Sequence, residues 1–101
     1  MDRRLELQGI LENILGSRNV YFQPPENIKL HYPCILYERS SFSQHFADNK
    51  PYISMGRYSV TLITTNPDSE LVKAILDLPY CSYDRYFASD SLSHDVFTLF
   101  Y

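Results

Sequence analysis

Apolar positions at Leu7, Ile10, Leu11, Ile14 and Leu15 fall three and four residues apart, which gathers them on one face of a helix. The pattern predicts an α-helix over 2–15, with Asp2 and Glu6 near the positive end of its dipole and Gly16 closing it in a left-handed conformation. Gly9 inside that helix costs about 1 kcal/mol relative to alanine. Either a close helix-to-sheet contact wants no side chain there, or the helix is locally weak. Residues 20–23 read as a short strand that Pro24 and Pro25 end, because neither proline donates to a ladder. Such a piece belongs at a sheet edge. Residues 34–39 carry a β-branched and aromatic run and predict a second strand.

From 40 to 55 the period is lost among Ser, Gln, His, Asp, Asn, Lys and Pro, with isolated aromatics at Phe42, Phe46 and Tyr52. A stretch that long is either an extended hairpin arm or a functional loop. Beyond Gly56, Tyr58, Val60, Leu62 and Thr64 alternate with Arg57, Ser59 and Thr61, the period of a half-buried strand, with Ile63 as an apolar exception on the outer face. Asn66-Pro67-Asp68-Ser69-Glu70 predicts a helix start, Asn66 capping and Pro67 in the first turn. Leu71, Val72, Ile75 and Leu76 form its buried stripe, and Pro79 stops it near Asp77 or Leu78. Strands over 81–88 and 94–101, joined by turn-forming residues, predict a closing hairpin.

This order implies an α+β domain, an antiparallel or mixed sheet with two amphipathic helices packed on one face. At 101 residues, a single domain spanning 1–101 is expected. The net charge of −3 argues against a dedicated nucleic-acid binder, which needs a basic patch to displace counterions from phosphates. No apolar run has the length of a membrane span and no signal peptide is evident, so a cytosolic protein is expected. Cys34 and Cys81 stand too far apart for a zinc knuckle or redox pair and read as buried thiols.

Catalytic chemistry finds little support in the spacing. Ser93-His94-Asp95 holds the residue types of a hydrolytic triad, but neighbours in a strand point to opposite faces. His31, His45 and His94 lack metal-ligand spacing, and three glycines do not build a phosphate-cradling loop. Asp84, Asp90 and Asp95 straddle the closing hairpin and read as solvated acids. No enzyme activity, cofactor or metal is expected. Nine tyrosines and six phenylalanines are more than the core of so small a domain needs, so several must reach the surface. Tyr80, Tyr83, Tyr86 and Phe87 cluster in one strand. Arg39, Arg57 and Arg85 occupy outer strand positions, either solvated or facing carboxylates of a neighbouring subunit.

The runs Asn19-Val20-Tyr21-Phe22-Gln23-Pro24-Pro25, Tyr32-Pro33-Cys34-Ile35-Leu36-Tyr37, Ala47-Asp48-Asn49-Lys50-Pro51-Tyr52, Arg57-Tyr58-Ser59-Val60-Thr61-Leu62-Ile63 and Asn66-Pro67-Asp68-Ser69-Glu70 together resemble the tail terminator, or tail completion, proteins of long-tailed bacteriophages and prophages. The resemblance covers nearly the whole chain and carries no catalytic motif. It implies a structural subunit of the virion neck and tail, assembled in the bacterial cytoplasm. Such subunits form a hexameric ring on the major tail tube protein, stop tube growth and offer a surface to the head-tail connector or stopper protein. DNA passes through without specific binding. Carried onto this chain, the resemblance makes the 40–55 segment the first candidate for contact with a neighbouring subunit or the tube. Phe42, His45, Phe46, Lys50, Tyr52, Arg57 and Tyr86 are the candidate interface residues. Two alternatives compete: a head-completion or stopper protein of the neck, and a small α+β nucleic-acid-binding module that stacks bases on exposed rings.

Overall fold

Seven elements follow one another along the chain: α1 (Arg3–Leu15), β1 (Val20–Phe22), β2 (Cys34–Ala47), β3 (Lys50–Thr64), α2 (Glu70–Leu76), β4 (Cys81–Ser89) and β5 (Leu92–Phe100). They come from a computed structural model that describes residues 3–47, 50–66 and 68–101, with the backbone alone for the described part of 41–55. The fold is α+β, a five-stranded mixed sheet in the order β1-β2-β3-β5-β4 with two helices. β1 runs parallel to β2, and the other three pairs are antiparallel. β5 therefore lies between β3 and β4, which run parallel to each other on either side of it.

Alternation in the strands builds the core. Ile35 and Tyr37 of β2, Tyr58, Val60 and Leu62 of β3, and Phe97 and Leu99 of β5 meet Leu7 and Leu11 of α1 and Ile75 of α2 in one buried cluster. Each fully buried aliphatic side chain of this kind contributes about 1.5–3 kcal/mol relative to exposure. On the opposite sheet face Cys34 and Ile63 stand across from each other in register, both buried, so the apolar exception in β3 has an apolar partner.

Turn chemistry sets the boundaries. Gly16 sits at φ +79 and its N–H donates to the Glu12 carbonyl at 2.9 Å, the left-handed closure expected of it. Gly9 is exposed and a side chain added there would meet nothing, so no close helix-to-sheet contact explains it and only the local weakness remains. Asp2 lies outside the described residues. At Gly56 a Cβ would stand 2.8 Å from the Tyr58 ring, so the ring's position against the β3 backbone depends on glycine. Asp90 and Ser91, at φ 53 and 64, form the two-residue turn between β4 and β5, the left-handed pair that matches the twist of a hairpin.

Two expectations around α2 are corrected. The cap is Ser69, whose Oγ accepts from the Leu71 N–H at 3.2 Å, while the Asn66 side chain accepts from the Asp68 N–H at 3.0 Å in a turn of its own. Both residues have the short polar side chain a cap needs, and the helix starts at the later one; Pro67 lies outside the described residues. Leu76 is exposed rather than part of the buried stripe; in this seven-residue helix Ile75 is buried, and Leu71 and Val72 pack half-buried against the core. The 40–55 stretch, expected as either an extended hairpin arm or a functional loop, is paired backbone over its described residues. The β2–β3 ladder runs from Cys34↔Ile63 to Ala47↔Lys50, with register shifts between Arg39 and Ser41 and between His45 and Phe46. Backbone pairing needs no apolar alternation, which is why the sequence pattern did not reveal it. The molecule measures 51 × 25 × 22 Å. No helix among the described residues is long and apolar enough to cross a membrane.

Candidate functional site

β4 is the edge strand of the sheet, and from Ser82 to Ser89 every residue on it is exposed. Its outer row of N–H and C=O groups has no neighbouring strand in the sheet. Tyr80, Tyr83, Tyr86 and Phe87 are 71%, 43%, 49% and 40% exposed, so the surface aromatics that composition called for are concentrated along this edge. The bulge between Tyr83 and Arg85 decides their arrangement. Tyr83 pairs with Phe97 and Arg85 with Val96, leaving Asp84 as the extra residue. Tyr83 and Tyr86, three apart and otherwise on opposite faces, both turn to the helix side as a result. Phe87 falls on the other face and stacks on His94 with centroids 4.5 Å apart, and the Arg85 guanidinium lies 5.9 Å from its ring and 3.1 Å from Asp84.

On the helix side, Tyr83 donates to Oδ1 of Asp95 at 2.6 Å and meets Phe97 edge-on at 5.4 Å. The Tyr86 hydroxyl lies 3.3 Å from the Ser93 hydroxyl. Asp95 is 4% exposed, and its Oδ2 is buried without a hydrogen-bond partner among the described residues. The hydrogen bond to Asp95, together with burial, pushes the Tyr83 phenol up to about 12. These groups floor an open cleft of about 660 Å³ between β4, β5 and α2, with Asp68, Val72, Lys73 and Leu76 on its helix wall. Burying a carboxyl oxygen with nothing to bond is costly, so the cleft holds unspent recognition capacity.

The candidate residues fall in different places. Tyr86 is in this cleft, whereas Arg57 is exposed on the sheet face away from the helices, in register with Phe100. The fold does not bring the two together. The side chains of Phe42, His45, Phe46, Lys50 and Tyr52 lie outside the described residues. Arg39, read as an outer-face cation, is corrected: it donates to the Tyr58 hydroxyl from Nε at 3.3 Å and Nη2 at 3.1 Å, because it shares the phase of Ile35 and Tyr37. Asp95 is corrected from solvated to buried. Its phase with Phe97 and Leu99 was the available signal, outweighed by the habit of placing acids in water.

Ser93, His94 and Asp95 do not converge, since His94 stacks on Phe87 across the sheet from the Asp95 carboxyl. Among the described residues no group of three or more His, Cys, Asp or Glu is arranged to hold a metal ion. Both thiols are free. Burial pushes Cys34 up to about 11 and raises Cys81. Compared with known proteins, the chain matches no family model and no curated sequence.

Proposed function

We propose that the protein is a structural subunit that caps the tail tube of a long-tailed phage as a ring, ends tail elongation and helps join tail to head. The observation that carries this reading is the nine-residue edge strand β4 with its three exposed aromatic side chains, and Tyr80 exposed just before it. A long aromatic edge is an aggregation hazard in a free monomer, and a closed ring that covers it turns the hazard into an interface. Ring closure needs two different surfaces that fit each other, and the paired β2–β3 residues of 40–47 and 50–55 are the second surface in this reading, an arm laid on the next subunit. The charge of −3 per chain, repeated around a ring, keeps a lumen from gripping passing DNA.

Electron microscopy of phage particles made without this protein tests the proposal. Overlong tails and unjoined heads are the expected result, and tails of normal length on joined heads would overturn it. Native mass spectrometry of the protein mixed with tail tubes should show rings on tube ends. Replacing Tyr86 and Phe87 together by serine is expected to abolish them while the monomer stays folded, since both rings are about half exposed.

A further inference from the structure

We infer that the cleft between α2 and the β4–β5 hairpin is a receptor for an arginine side chain presented by a partner polypeptide, with Oδ2 of Asp95 as its acceptor and the rings of Tyr83 and Tyr86 as its walls. The inference goes beyond the ring reading and holds whether or not the chain assembles on a tail tube.

Three observations converge on it. The Asp95 side chain is almost wholly buried yet lines an open cleft, with one oxygen bonded to Tyr83 and the other without a partner among the described residues. Two tyrosine rings, each roughly half exposed, border the same cleft, and the bulge at Asp84 is what places both on the side of the carboxyl. Asp68 adds a second acid at the rim against the single ammonium of Lys73, so the cleft walls are net negative.

An acid flanked by aromatic faces is chemistry for an organic cation. A metal ion is a poor fit, since hard cations need six or more oxygens around them and Asp95 leaves one free. Between the two basic side chains the geometry favours guanidinium. It is planar and stacks on tyrosine rings, it sheds water more readily than an ammonium, and one N–H suffices for the one free oxygen. The chain already uses this pairing elsewhere: Arg4 lies 4.5 Å from the Phe22 ring and Arg3 lies 4.5 Å from the Tyr101 ring.

The test is an NMR titration of the whole protein with Nα-acetyl-arginine amide, set beside the citrulline and lysine analogues. Saturable shifts of the Tyr83 and Tyr86 ring resonances in the millimolar range are expected with arginine, weaker ones with lysine and none with neutral citrulline. Asp95→Asn keeps an acceptor for Tyr83 and should weaken arginine binding about tenfold, the scale of one charge-assisted hydrogen bond. Should that variant fail to fold, Tyr83→Phe keeps the ring against Phe97 and frees Oδ1, so arginine can bridge both oxygens and bind several-fold more tightly. Lys73→Ala removes the competing cation and should also tighten binding. Equal shifts with citrulline, no saturable shift with arginine, lysine binding as well as arginine, or affinities unchanged in both Asp95→Asn and Tyr83→Phe would each overturn the inference.

Discussion

Two pairs of tyrosines, one beneath each helix, have opposite fates. Tyr37 and Tyr58 lie under α1, 2% exposed, with ring centroids 5.9 Å apart. Their hydroxyls are satisfied. Tyr37 donates to Gln8 and accepts from Arg4, while Tyr58 accepts from Arg39. Gln8 in turn donates to the Val20 carbonyl and to Glu12, both at 2.9 Å. Tyr83 and Tyr86 lie beside α2, nearly half exposed, over a carboxyl with one oxygen unbonded. The difference lies in helix length. Thirteen residues of α1 span about 20 Å, whereas seven residues of α2 span about 10 Å and leave most of a nine-residue strand uncovered. The same residue types make a closed network where a lid fits and a receptive surface where it falls short.

The comparison breaks most visibly at the phenylalanines. Phe97→Ala, at a fully buried position, is expected to cost about 3–5 kcal/mol in urea denaturation. Phe87→Ala, at an exposed one, should cost less than about 1 kcal/mol. A cost as large at Phe87 would mean the open edge is part of the core after all. One step smaller, Tyr37→Phe leaves Gln8 and Arg4 without their shared hydroxyl and should cost about 1–2 kcal/mol, whereas Tyr86→Phe should stay within about 0.5 kcal/mol. Gly9→Ala sharpens the view of α1 as the stable lid. With open space around the new methyl group, it should raise stability by about 0.5–1 kcal/mol, read as a higher denaturation midpoint at unchanged slope.

A last effect on stability, read against pH, concerns Tyr83. Its phenol titrates near 10 in the unfolded chain and is pushed up to about 12 in the fold, chiefly by the hydrogen bond to Asp95, so the folded state holds that proton more tightly. The contribution is fully present below pH 10 and is lost as pH rises through about 12. The Tyr37 and Tyr101 phenols are raised as well, so a tyrosinate absorbance titration should lose one of several late-ionising phenols in Tyr83→Phe and keep the others; an unchanged late phase there would assign it to the other tyrosines.

Most of the framework was legible in the sequence because periodicity reports burial directly. The phases of Leu7 and Leu11, of Tyr58, Val60 and Leu62, and the prolines after Phe22 each mark an element that the fold contains. What escaped was set by longer-range geometry. Asn66 and Ser69 are equally good caps in isolation, and the start of α2 is decided at Ser69. Arg39 and Asp95 sit in core phase, but charge argued for solvent, and the neighbouring Tyr58 and Tyr83 hydroxyls help make their positions tolerable. The cleft itself was illegible for a related reason. It depends on the bulge at Asp84, which shifts the phase of Tyr86 relative to Tyr83, and no residue in that stretch announces a bulge.

The strand order carries a lesson about how the chain comes together. β5 is made after β4 yet, among the described residues, is the strand that joins β4 to the rest of the sheet. Until it emerges from a ribosome, β4 has no hydrogen-bonding neighbour, and β3 has one side open. β5 must then slot between β3 and β4, which α2 separates in sequence, a long-range closure of the kind that slows folding. Translation thus delivers the keystone late, and the nascent protein waits for it with a row of tyrosines exposed to its surroundings.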